Sequence, residues 1–255
     1  ERFSREALDL AGSLVTDDGR FHVWIEDWII DGLGSDQPVV RILAHEGDLK
    51  IDLVLESSKT ITLNGELGFS RKSREVGGAS YYYSCTRMVT NGSLTLGQQN
   101  FQVAGLSWMD REWSTSALSE GQAGWDWFGL QLSDGRDLML YQLIKDNGDI
   151  DANSSGTLTE ENGSYQSLNN EDFVITNLDY WKSKSTGTKY PSKWRIKIPD
   201  QDIDITVTPY FKNQEFNAII RYWEGATSVK GLSNNRDVTG SGYVEITRPT
   251  VEQNG

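Results

Sequence analysis

Trp194-Arg195-Ile196-Lys197-Ile198 and, after a short polar break, Ile203-Asp204-Ile205-Thr206-Val207-Thr208 decide the fold. Apolar and polar side chains alternate in both runs. Successive side chains of an extended chain point to opposite faces, so each run reads as a strand with one covered face and one wet face. A second kind of run, Leu138-Met139-Leu140-Tyr141-Gln142-Leu143-Ile144, is apolar on both faces and predicts a strand covered on both sides. Asp18-Gly19, Asn64-Gly65, Asn91-Gly92, Asp134-Gly135, Asn147-Gly148 and Asn162-Gly163 punctuate the chain. These dipeptides tolerate the positive φ of tight hairpins. Only residues 2–11 suggest a short helix, with Leu8 and Ala11 on one side. The chain is therefore predicted to be all-β, an antiparallel sandwich or barrel. The spacing predicts about seven strands before a break at residues 118–123, where Ser, Glu and Gly cluster, and about eight or nine after it.

A chain of 255 residues holds one large β domain or two of ordinary size, and either buries a full core. The 24 basic and 37 acidic residues leave a net charge of −13, with no Lys/Arg run. Nucleic acid and anionic membranes are thus disfavoured as partners. There is no apolar run of membrane-spanning length and no signal-peptide pattern. The opening Glu1-Arg2-Phe3 leaves room for a leader removed upstream. A single cysteine, Cys85, rules out an internal disulfide.

Two histidines, His22 and His45, limit the chemistry. A His/Cys zinc site lacks ligands, and neither histidine neighbours a Gly-x-Ser-x-Gly elbow. Asp151-Ala152-Asn153-Ser154-Ser155-Gly156 begins like a calcium loop, but its twelfth position is Asn162 instead of glutamate, so it reads as a polar hairpin loop. The sequons at Asn91, Asn153 and Asn162 fall on predicted turns. No metal site and no cofactor is predicted. Acid–base work falls to Asp, Glu or Tyr.

Those residues concentrate in the stretch 105–132, which holds Trp108, Trp113, Trp125 and Trp127 beside Asp110, Arg111, Glu112, Glu120 and Asp126. In an extended chain, Asp110 and Glu112 share one face and Arg111 takes the other. Two adjacent carboxylates raise each other's pKa, which suits a general acid. Alternatively, Asp110, Arg111 and Glu112 form an ion network tying two domains together. Trp125 and Trp127 point one way and Asp126 the other. Each indole covers on the order of 150–250 Å², so the indole side is expected to face a barrel interior, with Asp126 at the surface or between domains. The reverse orientation would make Asp126 a desolvated acid. In Ser80-Tyr81-Tyr82-Tyr83-Ser84, Tyr81 and Tyr83 share a face and Tyr82 takes the other. Buried phenols need partners, which a ligand, the nearby acids or one another would supply. Gln214-Glu215 and Tyr222-Trp223-Glu224-Gly225 repeat the pairing of acid and aromatic, and Gly240-Ser241-Gly242-Tyr243-Val244-Glu245 reads as a closing strand.

Taken together, residues 79–84, 105–114, 124–128, 222–225 and 240–245 resemble the AttH family, which is related to carotenoid 1,2-hydratases and often labelled "predicted secreted hydrolase". The likeness runs over residues 3–247. It implies two lipocalin-like (calycin) antiparallel β-barrel domains, over residues 1–120 and 121–255. The first is expected to be either incomplete or preceded by strands upstream of residue 1. It also implies a hydrophobic small-molecule partner, lipid or isoprenoid, and a periplasmic or secreted location. The related hydratases carry an Asp-His pair where this chain has Asp110-Arg111, a difference that removes a titrating imidazole.

Three functions follow from the residues and the resemblance. The first is a binder of an elongated hydrophobic molecule in lipid or isoprenoid metabolism. Tyr81, Tyr83, Trp108, Trp113, Trp125, Trp127, Tyr141 and Trp223 are its candidate ligand-binding residues. The second is a cofactor-free hydro-lyase or isomerase. In that reading Asp110, Glu112 or Asp126 protonates an alkene, and aromatic faces stabilise the cation. The third is a non-catalytic envelope or attachment protein. No oligomeric state is assigned.

Overall fold

The structure, a computed structural model, describes residues 5, 10–33, 38–115, 118–217 and 221–247. Its first strands are Ala11–Val15 (β1), Phe21–Ile25 (β2), Trp28–Gly32 (β3), Val39–Glu46 (β4), Leu49–Ser57 (β5), Thr62–Leu63 (β6), Phe69–Arg71 (β7), Ala79–Leu96 (β8) and Gln99–Trp113 (β9). Then come Gln122–Leu132 (β10), Asp137–Lys145 (β11), Ser155–Thr159 (β12), Tyr165–Asn169 (β13), Val174–Lys182 (β14) and Lys189–Ile198 (β15). After a single 3-10 turn at Pro199–Gln201, the last are Ile203–Pro209 (β16), Glu215–Asn217 (β17), Arg221–Ser233 (β18) and Arg236–Ile246 (β19). The chain is all-β, with two large antiparallel sheets. It has more strands than expected because β6, β7 and β17 are two or three residues long, too short to display an alternation. The helix expected over 2–11 falls mostly outside the described residues, and Ala11 already begins β1.

Packing groups the chain into two compact units, Glu1–Ile61 with Cys85–Met109, and Thr62–Ser84 with Asp110–Gly255. Residues 62–84 and 110–120 are grouped with residues 121–255 in this division. In the first unit, β1 to β5 form a meander that continues onto β8, with Leu49 opposite Leu96. Its core is small. Val40, Leu55, Cys85 and Met88 are buried there, with Phe21, Ile42, Leu53 and Met109 packed against them.

In the second unit the hydrogen-bonded order is β13-β12-β11-β10-β19-β18-β16-β15-β14. The two outermost strands are neighbours in sequence. Leu168 of β13 and Ile175 of β14 pack into one core, so the sheet curls round on itself. The two runs that decided the fold behave as read: Trp194, Ile196, Ile198, Ile203, Ile205 and Val207 are all buried inside the curl. Strand β11 is covered on both faces, also as expected. Its inner face carries Leu138 and Leu140 into the core. Its outer face is covered by the segment containing β6, β7 and the start of β8, through polar contacts. Ser70 Oγ lies 3.2 Å from Tyr141 Oη on β11, and on neighbouring β12 Thr62 Oγ1 lies 3.1 Å from Thr159 Oγ1 while Thr157 Oγ1 donates to Asn64 Oδ1 at 2.8 Å. Buried hydroxyls and amides tolerate this layer only because they satisfy one another.

Candidate functional site

Alternation in β8 sets Ser80, Tyr82 and Ser84 on one face, and alternation in β9 sets Asp110 and Glu112 on the matching face. The result is a row of hydroxyls against two carboxylates. Ser80 Oγ donates to Glu112 at 2.5 Å. Tyr82 Oη and Ser84 Oγ each donate to Asp110 at 2.6 Å, one to each carboxylate oxygen. Asn64 Nδ2 donates in turn to Ser84 Oγ at 2.8 Å. From the neighbouring sheet Trp127 Nε1 donates to Tyr82 Oη at 2.9 Å, so the phenol is held from both sides. Lys72 Nζ lies 3.1 Å from Glu112 and 3.6 Å from the centre of the Tyr141 ring. Lys72, Ser80, Glu112, Trp125, Trp127 and Tyr141 line a cavity of about 200 Å³. The cavity therefore joins an ion pair to three aromatic walls.

Two proton affinities are displaced here. Burial pushes the Tyr82 phenol well above the usual tyrosine range, and the charges of Asp110 and Glu112 push it further. The Trp127 N–H works the other way, more weakly. Tyr82 thus keeps its proton. On β19, Glu245 accepts a 2.7 Å hydrogen bond from Trp125 Nε1. Burial raises its carboxyl to about 7; the Trp125 hydrogen bond opposes this shift, and the charges of Glu224, Asp110 and Glu112 add to it. Glu224 stands directly opposite it on β18.

A carboxyl raised in the folded state binds more protons there than in the unfolded chain. Stability therefore falls as pH rises from the unfolded value, 4.5, through the folded value of about 7. Glu245→Gln is expected to remove a pH-dependent loss of roughly 3 kcal/mol at most. Urea unfolding of both proteins at the two ends of that window checks this. Parallel pH slopes would sink the assignment.

The tryptophan strand faces opposite to the expected way. Asp126, with Phe128, Leu130 and Leu132, takes the inner face of the curled sheet, and the indoles of Trp125 and Trp127 take the outer face. Asp126 is buried, 2% exposed, and its opposite partner on β19 is Ile246. The whole strand chooses its face as a unit. Three apolar residues on the inner side outweigh the one acid, and the indoles find cover and N–H acceptors outside. The Trp127 indole occupies the space beside Gly129, where an added Cβ would come within 2.4 Å of it. Gly129→Val is therefore expected to break the Trp127 to Tyr82 hydrogen bond while leaving the inner core intact. Loss of the shifted Trp127 indole N–H resonance in NMR, at nearly unchanged β-sheet circular dichroism, checks this.

A family profile described as AttH-like matches residues 1–248. The chain belongs to the AttH-like family. The crystal structure of an AttH protein from Nitrosomonas europaea is similar at 28% identity with a TM-score of 0.80, covering 89% of this chain and 69% of that one. Kievitone hydratase from Nectria haematococca shares the fold at 19% identity and a TM-score of 0.72, covering 92% of this chain and 72% of that one. The dehydratase asqC from Emericella nidulans is 24% identical over 232 residues, 85% of this chain. The chain spans 63% of the length of that curated relative.

Within this AttH-like protein the remaining candidates separate clearly. Tyr81, Tyr83 and Trp113 lie on the far face of β8 and β9, where Trp113 stacks on Tyr81 at 5.8 Å and meets Tyr83 edge-on at 6.2 Å. Trp108 belongs to the first unit, whereas every residue lining the cavity belongs to the second. Trp223 is fully buried in the core, 5.7 Å from Trp194, with its Nε1 donating to the Lys212 carbonyl at 2.8 Å. It is a core residue. Arg111 is exposed and forms no ion pair among the described residues; the cation that meets Glu112 is Lys72. Lys72, Ser80, Ser84 and Glu245 were not singled out from sequence, whereas Tyr82 was read as a phenol in need of a partner, and it finds one of the nearby acids, Asp110. The Ser-x-Tyr-x-Ser spacing of residues 80–84 carried a signal, since it puts three hydroxyls on one face. Lys72 carried none.

Proposed function

We propose that this AttH-like protein is a cofactor-free hydro-lyase that adds water to, or removes it from, a hydrophobic isoprenoid-like or lipid-like molecule. The observation that carries this reading is the protonated Tyr82, held between Trp127 and Asp110, beside a cavity in which the Lys72–Glu112 pair faces aromatic walls. The dehydratase relative supports the reaction class over simple ligand binding. In the dehydration direction a carboxylate takes a proton from the carbon beside the one that bears the hydroxyl, and Lys72 gives a proton to the hydroxyl, which leaves as water; the proton on the carboxyl then passes back to Lys72. Trp125, Trp127 and Tyr141 stabilise the cationic carbon formed on the way. Hydration is the same sequence reversed. Glu112, which lines the cavity, and Asp110 are the proton-transferring carboxylates. Lys72 steadies the oxygen that enters or leaves. Asp126, on the inner face of the curled sheet, has no part in these steps. A periplasmic or secreted location belongs to the same proposal and is carried by the family resemblance.

Incubation with isoprenoid alkenes and the matching tertiary alcohols in ¹⁸O-labelled water tests the reading. The expected result is a mass change of one water, with label in the alcohol. Stoichiometric retention of such molecules without conversion would instead make the protein a binder.

A further inference from the structure

On the far face of β8 and β9 lies a second recess that the proposed chemistry does not use. It encloses about 550 Å³ and is lined by Phe69, Arg71, Arg74, Tyr81 and Trp113, among others. Tyr81 and Trp113 are 57% and 52% exposed although they stack on each other, and Phe69 meets Tyr81 edge-on at 6.0 Å. Large aromatic faces left wet in this way contribute nothing to the core and are suited to cover a flat partner. The Arg71 guanidinium sits 5.6 Å over the Phe69 ring. Neither Arg71 nor Arg74 forms an ion pair among the described residues, in a chain whose net charge is −13. Two guanidiniums beside a stacked aromatic wall, against the single carboxylate of Glu75 in the same lining, match a planar ring system bearing a carboxylate or other anionic group. Guanidinium binds carboxylate through paired N–H donors, and the ring finds stacking surface. Ser114 borders this recess and the Lys72–Glu112 cavity alike, so the two are adjoining.

We propose that the recess formed by Phe69, Arg71, Arg74, Tyr81 and Trp113 is a binding site for a planar aromatic anion. Resting on the hydro-lyase reading, it would hold that end of the substrate while the reacting alkene or alcohol lies in the adjoining cavity. Isothermal titration with 2-naphthoate and its uncharged analogue 2-naphthamide tests the site directly. The carboxylate is expected to bind at least about tenfold more tightly than the amide. Arg71→Gln combined with Arg74→Gln should abolish that preference, and Trp113→Leu should weaken both ligands. All three side chains are exposed, so unchanged thermal unfolding is expected to accompany these losses. No saturable binding, equal affinity for the two probes, or an affinity indifferent to the substitutions would overturn the proposal. The two readings fail separately. Naphthoate selectivity without any addition or loss of water removes the hydro-lyase reading alone, whereas turnover without selectivity removes the recess alone.

Discussion

Asp110→Asn is expected to lower the rate of water addition or loss by about 10²–10⁴-fold, the usual worth of a positioned acid or base. The substitution keeps the shape and removes the charge. At present both carboxylate oxygens of Asp110 accept, one from Tyr82 and one from Ser84. An amide offers one acceptor oxygen and sets an N–H₂ against the other hydroxyl, so one of these two contacts must reorganise. The phenol also loses one of the charges that hold its proton. The expected signature is a fall in kcat with KM little changed, because the aromatic walls that hold the substrate are untouched. Steady-state kinetics with the ligand identified in labelled water measures this. Full activity in a folded Asp110→Asn protein would remove Asp110 from the reaction and leave Glu112 as the sole carboxylate in it.

Trp194→Ala should produce the largest change in stability, about 3–5 kcal/mol. Trp194 is fully buried, packed edge-on against Phe128 at 5.6 Å and against Trp223 at 5.7 Å. Those three side chains come from β15, β10 and β18, so the cavity left behind would open in the middle of the curled sheet, where no single strand can collapse to fill it. Trp194 Nε1 has no hydrogen-bond partner among the described residues. Trp194→Phe is therefore expected to cost distinctly less than the alanine change, since it keeps most of the ring volume and removes an unsatisfied donor. Urea unfolding followed by circular dichroism ranks the two. If the alanine protein lost no more than the phenylalanine one, Trp194 could not be the centre of this core.

The β content was legible because alternation is a local property. Residues 194–198 and 203–208 needed only their own order to show which side chains would be buried, and those side chains are buried. The placing of Asp110 and Glu112 on one face of β9 was legible for the same reason, and so was the double covering of residues 138–144. The orientation of residues 125–127 was not. Local area favoured burying the indoles, yet Phe128, Leu130 and Leu132 further along the strand carried Asp126 inward with them.

The sequence by itself determined strand periodicity, the small number of histidine and cysteine side chains, and the clustering of acids with aromatic rings. Only the tertiary structure decided which acid meets which partner. Tyr82 lies 45 residues from Trp127 and 28 from Asp110, and Lys72 reaches Glu112 from a loop that packs over the outer face of β11. Such contacts depend on the register of distant strands, which is set by the summed burial of every side chain on a face and leaves no mark in the few residues around either partner.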